Sequence, residues 1–346
     1  MRIVLLLCCL FCFSAHRVSA QTDSLPAKPE AGIGKQQTYR GLAAAAVVAL
    51  EAYSIVSSNP IPTYGALHFL NRQWGTGAFF LASTVALQLG NRYCVQQLNN
   101  SAAITFNRTN NNAIYYSGRF GTEEQYQWRT YADASRQVLY YWRLLDAYAA
   151  YQHLHRRTQA NNRVPLQYQS IASLTLAPFK PKYLKRAAVW APILIAAAGT
   201  YFATSADRDL GSVSSFQMLG GTYSNGAGLA ANTGADAGLY LFTAAGEEMF
   251  FRGIVQTELT ERINPGVALA ASSLLFSAYH LPNNGVVNAL ATLPIGFYLG
   301  YRFRRNGYDL GETICTHFWI NLLSNLAGFI RDPRTGRLVY SVGWRV

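Results

Sequence analysis

The sequence predicts an all-α fold, a polytopic transmembrane helix bundle with about seven or eight spans. Sparse charge, apolar runs near bilayer length and basic residues at the ends of those runs predict it together. Charged side chains make up 13% of the 346 residues, against roughly 25% in an ordinary soluble domain. Hydrophobic residues reach 50% and aromatic residues alone 13%. A soluble aromatic-rich α protein is the competing reading, and the length of the apolar runs weighs against it. The 29 Lys and Arg exceed the 17 Asp and Glu, for a formal charge of +12. The excess gathers beside apolar runs, in Lys180, Lys182, Lys185 and Arg186 and in Arg302, Arg304 and Arg305. Cytoplasmic loops of membrane proteins concentrate positive charge in this way, so the charge reads as a topology signal and not as a nucleic-acid footprint.

The chain opens with Arg2, an apolar stretch from Ile3 to Phe13 and the small-residue site Val18-Ser19-Ala20. This is the pattern of a cleaved signal peptide over residues 1–20, because the apolar stretch is too short to span. Cleavage would remove Cys8, Cys9 and Cys12, leaving Cys94 and Cys315, too few and too far apart for a disulfide framework or a cysteine zinc site. A membrane-associated region of unassigned role follows over 21–186, with candidate spans near Gly41–Val56 and Gly75–Leu89. The polar stretch from Asn91 to about Arg136 is expected outside the hydrocarbon. Val138–Leu154 carries Arg143 and Asp146 among aromatics, and reads either as a packed span or as an interfacial helix.

The second half divides more clearly. Ala187–Thr204 is an apolar run, and Ser205–Ala235 is expected to be a Gly-, Ser- and Asn-rich loop. Four helices then follow: one from Ala237 past Arg252, then Pro265–His280, Gly285–Tyr301 and Glu312–Ile330. Turn residues separate them at Pro265-Gly266, Pro282–Gly285 and Asn306-Gly307. Residues 187–330 form the second predicted unit, and 331–346 a tail. With the Lys180–Arg186 cluster inside, the positive charges agree with the alternation of spans at every step. The tail is the exception, where Arg331, Arg334 and Arg337 fall outside.

Ionisable groups within apolar helices are functional candidates. Glu247 and Glu248 point about 100° apart on a helix. Glu248 and Arg252 share a face and can pair, which leaves Glu247 without a local partner. His317 and Asn321 share a face at four-residue spacing. Glu247 and His280 each lie about sixteen residues from the turn near Asn264, roughly 24 Å along antiparallel helices, so they can meet at one depth. His317 enters from the same side about ten residues beyond its turn. The depths agree if the polar Glu258–Arg262 end protrudes into water.

These three segments, Glu247-Glu248 with Arg252-Gly253, Phe276 with His280, and His317 with Asn321, resemble the motifs of the CPBP intramembrane peptidases. That family comprises the type II CAAX prenyl endopeptidases and their bacterial relatives, also called the Abi family. The resemblance covers about Gly234–Ile330 and includes the connecting Gly296-Phe297-Tyr298-Leu299-Gly300. It implies an integral protein of a bacterial inner membrane that hydrolyses a peptide bond with a Glu-activated water. Glu247 would be the general base and His280 would hold the water. His317 and Asn321 would stabilise the oxyanion, with Glu248 and Arg252 in support. A zinc version, with Glu247, His280 and His317 as metal ligands, matches a catalytic ligand set. The expected substrate is a membrane-associated peptide or protein, such as a bacteriocin-like leader, and no nucleic-acid partner is expected. Two other classes compete: a non-catalytic membrane scaffold of the same fold, and a proton-coupled transporter. The intact motifs count against the first, and the absence of an evident inverted repeat against the second.

Overall fold

The structure, a computed structural model, describes residues 33–57, 63–101, 122–206 and 208–344. The predicted signal peptide and its three cysteines lie outside the described residues. The described chain is predominantly helical, as the composition predicts. The first half contributes α1 (Ile33–Ser57), the short α2 (Ala66–Leu70), α3 (Trp74–Ser101) and α4 (Glu123–Arg157). Two short helices, α5 (Ile171–Thr175) and α6 (Pro181–Leu184), lead into α7 (Ala187–Ala203). The second half contains α8 (Asn225–Glu248), a π-helical stretch (Met249–Gln256), α9 (Thr257–Arg262), α10 (Pro265–Tyr279), α11 (Leu281–Arg305) and α12 (Leu310–Arg331).

One stretch gains a structure that the sequence left unassigned, and one expectation needs correction. The polar stretch after Asn91 is in part helical, because α3 runs on to Ser101 and α4 begins at Glu123. Its polar side chains are paired between helices: the Asn91 amide donates to Ala132 O and Ser135 Oγ, each at 2.9 Å. Thr122 caps α4 by accepting from Gln125 N. The correction concerns the expected loop 205–235. It contains a β-hairpin, β1 (Val213–Met218) and β2 (Gly221–Ser224), and then the first turns of α8. Leu219 and Gly220 both have positive φ, 52° and 79°, the backbone a tight two-residue hairpin turn requires. A third strand, β3 (Ser341–Trp344), pairs antiparallel with β1 to give the order β2-β1-β3. Val213, Phe216 and Met218 on this sheet bury themselves against Phe329, Leu338 and Val339.

α4 packs against several other helices and is buried along much of its length. Its 35 residues extend roughly 52 Å at 1.5 Å per residue. Its interior charges find partners on the helices around it. Arg143 pairs with Glu51 of α1 at 2.6 Å. Asp146 accepts from Gly65 N at 2.9 Å and lies 3.2 Å from His68 of α2. Buried charge is tolerated only with such partners.

The basic clusters that carried the topology argument meet at one end. Arg186 and Arg302 both bind the Glu312 carboxylate at the start of α12. Asp309 caps the same helix by accepting from Gly311 N at 2.9 Å, and receives Tyr183 OH at 2.8 Å. In the tail, Arg337 pairs with the buried Asp236, Arg334 with Asp332, and Arg331 donates to Thr204 O. Local acids and a carbonyl thus absorb the basic excess that looked misplaced.

Among the described residues no helix is long and apolar enough to cross a membrane. The most apolar one, α7, has 17 residues, roughly 25 Å against a hydrocarbon core of about 30 Å.

Candidate active site

Three of the four predicted catalytic side chains converge. α8 ends at Glu248 and the helix widens at once into the π-helical stretch. Such wide turns arise where a helix must re-aim its side chains, and they recur at functional sites. Thr257 Oγ1 and Ser272 Oγ accept the task of satisfying the loosened carbonyls, donating to Arg252 O and Phe251 O at 2.8 and 2.9 Å. Glu247 Oε2 lies 3.7 Å from His317 Nε2 and 4.0 Å from His280 Nε2. The carboxylate is buried at 2% exposure, and Oε2 makes no hydrogen bond.

Each ring is fixed through its other nitrogen. His280 Nδ1 lies 2.8 Å from Phe276 O. A carbonyl only accepts, so this nitrogen carries the proton and Nε2 is the free atom facing Glu247. His317 Nδ1 lies 2.9 Å from Glu248 Oε1 and donates to it in the same way. Phe276, the aromatic residue four positions before His280, packs edge-on to both imidazoles, with centroids 4.8 and 5.8 Å away. The Arg252 guanidinium lies over its face at 4.5 Å. One phenyl ring therefore holds both histidines and the arginine in place.

Glu248 pairs with Arg252 at 2.8 Å, as the four-residue spacing predicts. The sequence did not reveal that the same oxygen also receives His317, so Glu248 orients a site residue as well as fixing its helix. Arg252 reaches on to Gly296 O at 2.8 Å, and Gln256 to Gly300 O at 3.0 Å. Both glycines sit close against neighbouring side chains. A Cβ on Gly296 would meet Phe276 at 3.1 Å, and one on Gly300 would meet Leu269 at 2.5 Å. The connecting segment named by the sequence is thus the wall against which the π-helical stretch is bound.

Asn321 is not brought into the cluster by any bond. It is half-buried one turn beyond His317, and among the described residues it makes no hydrogen bond. A residue outside all three motifs does join: Tyr141 of α4 donates to Glu247 Oε1 at 2.9 Å. The sequence carries no signal for it, because it is one tyrosine among 22.

For the zinc alternative the donor types fit but their placement does not. The orphaned Oε2 and two free Nε2 atoms have the right chemistry. However, no group of three or more His, Cys, Asp or Glu side chains among the described residues is placed to hold a metal ion.

Residues 235–323 match the family model described as type II CAAX prenyl endopeptidase Rce1-like. No curated protein and no solved structure matches the chain. The matched residues include Glu247, Glu248, Arg252, His280, His317 and Asn321 and exclude the whole first half, with Tyr141. The segment that holds the convergent Glu and His residues is therefore a segment similar to the Rce1-like type II CAAX prenyl endopeptidases, the family its three motifs resemble.

Proposed function

We propose that the protein is an integral membrane endopeptidase in which Glu247 activates a water molecule. The observation that carries this reading is the convergence of Glu247 Oε2 with two imidazole nitrogens inside the matched segment. Oε2 accepts a proton from a water held by His280 Nε2, whose free electron pair faces the same space. The water oxygen attacks the scissile carbonyl carbon, and its π electrons move to the carbonyl oxygen. His317, in its doubly protonated form with Nδ1–H held by Glu248, donates Nε2–H to that oxyanion, and the Asn321 amide donates beside it. Collapse of the tetrahedral intermediate breaks the C–N bond, and the proton on Glu247 passes to the departing amine. Donors already aimed at the developing charge contribute on the order of 3 kcal/mol each in a dry site.

The distribution of surface residues supports a bilayer setting. Phe202 and Ile195 of α7 are 84% and 73% exposed, and Val287 of α11 is 81% exposed. On α3, Leu81, Val85 and Leu89 face outward at four-residue spacing while Ser83 and Thr84 are buried. On these helices large apolar side chains reach the surface while Ser, Thr and charged groups are among the buried residues, a combination that suits a lipid environment. It also accounts for the modest apolarity of the individual helices, whose inner faces carry Ser, Thr, Arg, Asp and Glu. On this reading the end carrying α9, with Arg262 and Asn264 exposed, lies in water.

The substrate class is a membrane-associated peptide or protein. The test is incubation of the purified protein with membrane peptide libraries, read by mass spectrometry beside the Glu247→Ala variant. New peptide termini should form with wild type alone. Identical termini from both proteins would reject the assignment.

A further inference from the structure

Among the strongly held groups near the site, Tyr141 is the only one supplied by the first half of the chain to the Glu247 carboxylate among the hydrogen bonds described. We propose that Tyr141 is a positioning residue for hydrolysis: its hydroxyl ties down Glu247 Oε1, so that Oε2 is the oxygen offered to water, His280 and His317. The inference rests on the reading of Glu247 as the base.

A carboxylate free to rotate presents either oxygen in either of two orientations. Here one oxygen is engaged at 2.9 Å and the other, Oε2, is left without a hydrogen bond, facing both free imidazole nitrogens. That division of labour is what a general base needs, with one oxygen held and one open.

The helix that brings the hydroxyl there is set in register twice over. Tyr141 and Tyr148 are seven residues apart on α4, and Gly246 and Gly253 are seven apart on the facing segment. A Cβ on Gly246 would lie 3.0 Å from the Tyr141 ring and 3.3 Å from its backbone oxygen. A Cβ on Gly253 would lie 2.5 Å from the Tyr148 ring. Each tyrosine therefore occupies the space left by one glycine, and α4 cannot slide along α8 without a clash. Only the first of the two hydroxyls reaches the site, since Tyr148 OH donates to Gln152 of its own helix at 3.2 Å. The second tyrosine shares the packing role without the hydrogen bond, and so provides an internal control.

A merely structural reading is that a buried phenol needs an acceptor and Glu247 happens to be nearest. The two readings differ in kinetics. Four proteins are compared on one cleavable peptide: wild type, Tyr141→Phe, Tyr148→Phe and Glu247→Gln, each with its thermal midpoint measured. Positioning predicts that Tyr141→Phe lowers kcat about tenfold with KM unchanged, while Tyr148→Phe keeps the wild-type kcat; the size is that of one charge-assisted hydrogen bond acting on the reacting group. If Tyr141→Phe matches Tyr148→Phe in kcat, raises KM alone, or fails to fold, the hydroxyl is not a positioning group. If Glu247→Gln retains wild-type turnover, the base assignment itself fails, whatever Tyr141 does.

Discussion

Replacing Arg252 by methionine tests whether the Glu248–Arg252–His317 arrangement is held together as the structure implies. Arg252 is 1% exposed and Glu248 fully buried, so neither charge has water to fall back on. The substitution keeps an unbranched apolar stem but leaves Glu248 with His317 and Thr313 as its remaining polar partners among the described residues. Breaking one side of a buried pair costs about 3–5 kcal/mol, because the remaining charge is stranded. Gly296 O also loses its donor, which adds about 1 kcal/mol. The expected sum is therefore about 4–6 kcal/mol, which for a chain of this size lowers the thermal midpoint by roughly 10 °C. The assay is thermal unfolding of detergent-solubilised protein followed by circular dichroism. The double variant Glu248→Gln with Arg252→Met removes both charges and should be more stable than Arg252→Met alone, by the coupling expected of contacting residues. A loss below about 1 kcal/mol in the single variant, the scale of a surface pair, would refute the reasoning. So would a double variant that loses the sum of its parts.

Other outcomes follow from the same geometry. Asn321→Ala should lower kcat about a hundredfold with little change in KM, the scale for losing one oxyanion donor; steady-state kinetics in which KM alone rises would remove Asn321 from the reaction. Purified active protein should contain no stoichiometric zinc by elemental analysis, and a chelator should leave its rate unchanged; zinc that departs in His317→Ala would restore the metal alternative. Glu261 gives a pH dependence away from the site. Burial pushes its carboxyl up, but the hydrogen bond from His155 and those from the Arg163 and Val164 backbone N–H groups outweigh burial and hold it below the ordinary 4.5. A depressed folded value means that its stabilisation is present above the ordinary range and is lost as pH falls through the folded value. The thermal midpoints of wild type and Glu261→Gln should thus differ at neutral pH and converge as the pH falls through the depressed folded value. A difference that persists below that value would contradict the assignment.

The sequence was legible where chemistry repeats at short range. Four-residue spacing placed Arg252 on Glu248, and counting residues from the turn at Asn264 brought Glu247 and His280 within 4.0 Å of each other. Helix ends marked by Asn264-Pro265 and Asn306-Gly307 fell where expected, because an Asn cap and a positive-φ glycine act locally. What depended on distant partners was hidden. The polar stretch after Asn91 carried no secondary-structure signal of its own, because its polar side chains are satisfied from a distant helix, as α4 satisfies Asn91. Arg143 and Asp146 looked out of place among aromatics because their partners, Glu51, His68 and Gly65, lie far away in the sequence. The β-hairpin at Val213–Ser224 is short and rich in Ser and Gly, so alternation was too weak to separate it from a loop. Tyr141 was illegible for the same reason: its role exists only once α4 has packed against Gly246.

The central claim is that the Glu247 carboxylate takes the proton from the attacking water. The most direct measurement is the cleavage rate of one identified peptide by wild type and by Glu247→Gln, with both proteins shown to share a thermal midpoint within a degree or so. The amide keeps the shape and the hydrogen bond from Tyr141 but cannot accept a proton at neutral pH. Cleavage should fall to background in Glu247→Gln while peptide binding persists. A variant that is folded, binds peptide and still cleaves it at the wild-type rate would contradict the account.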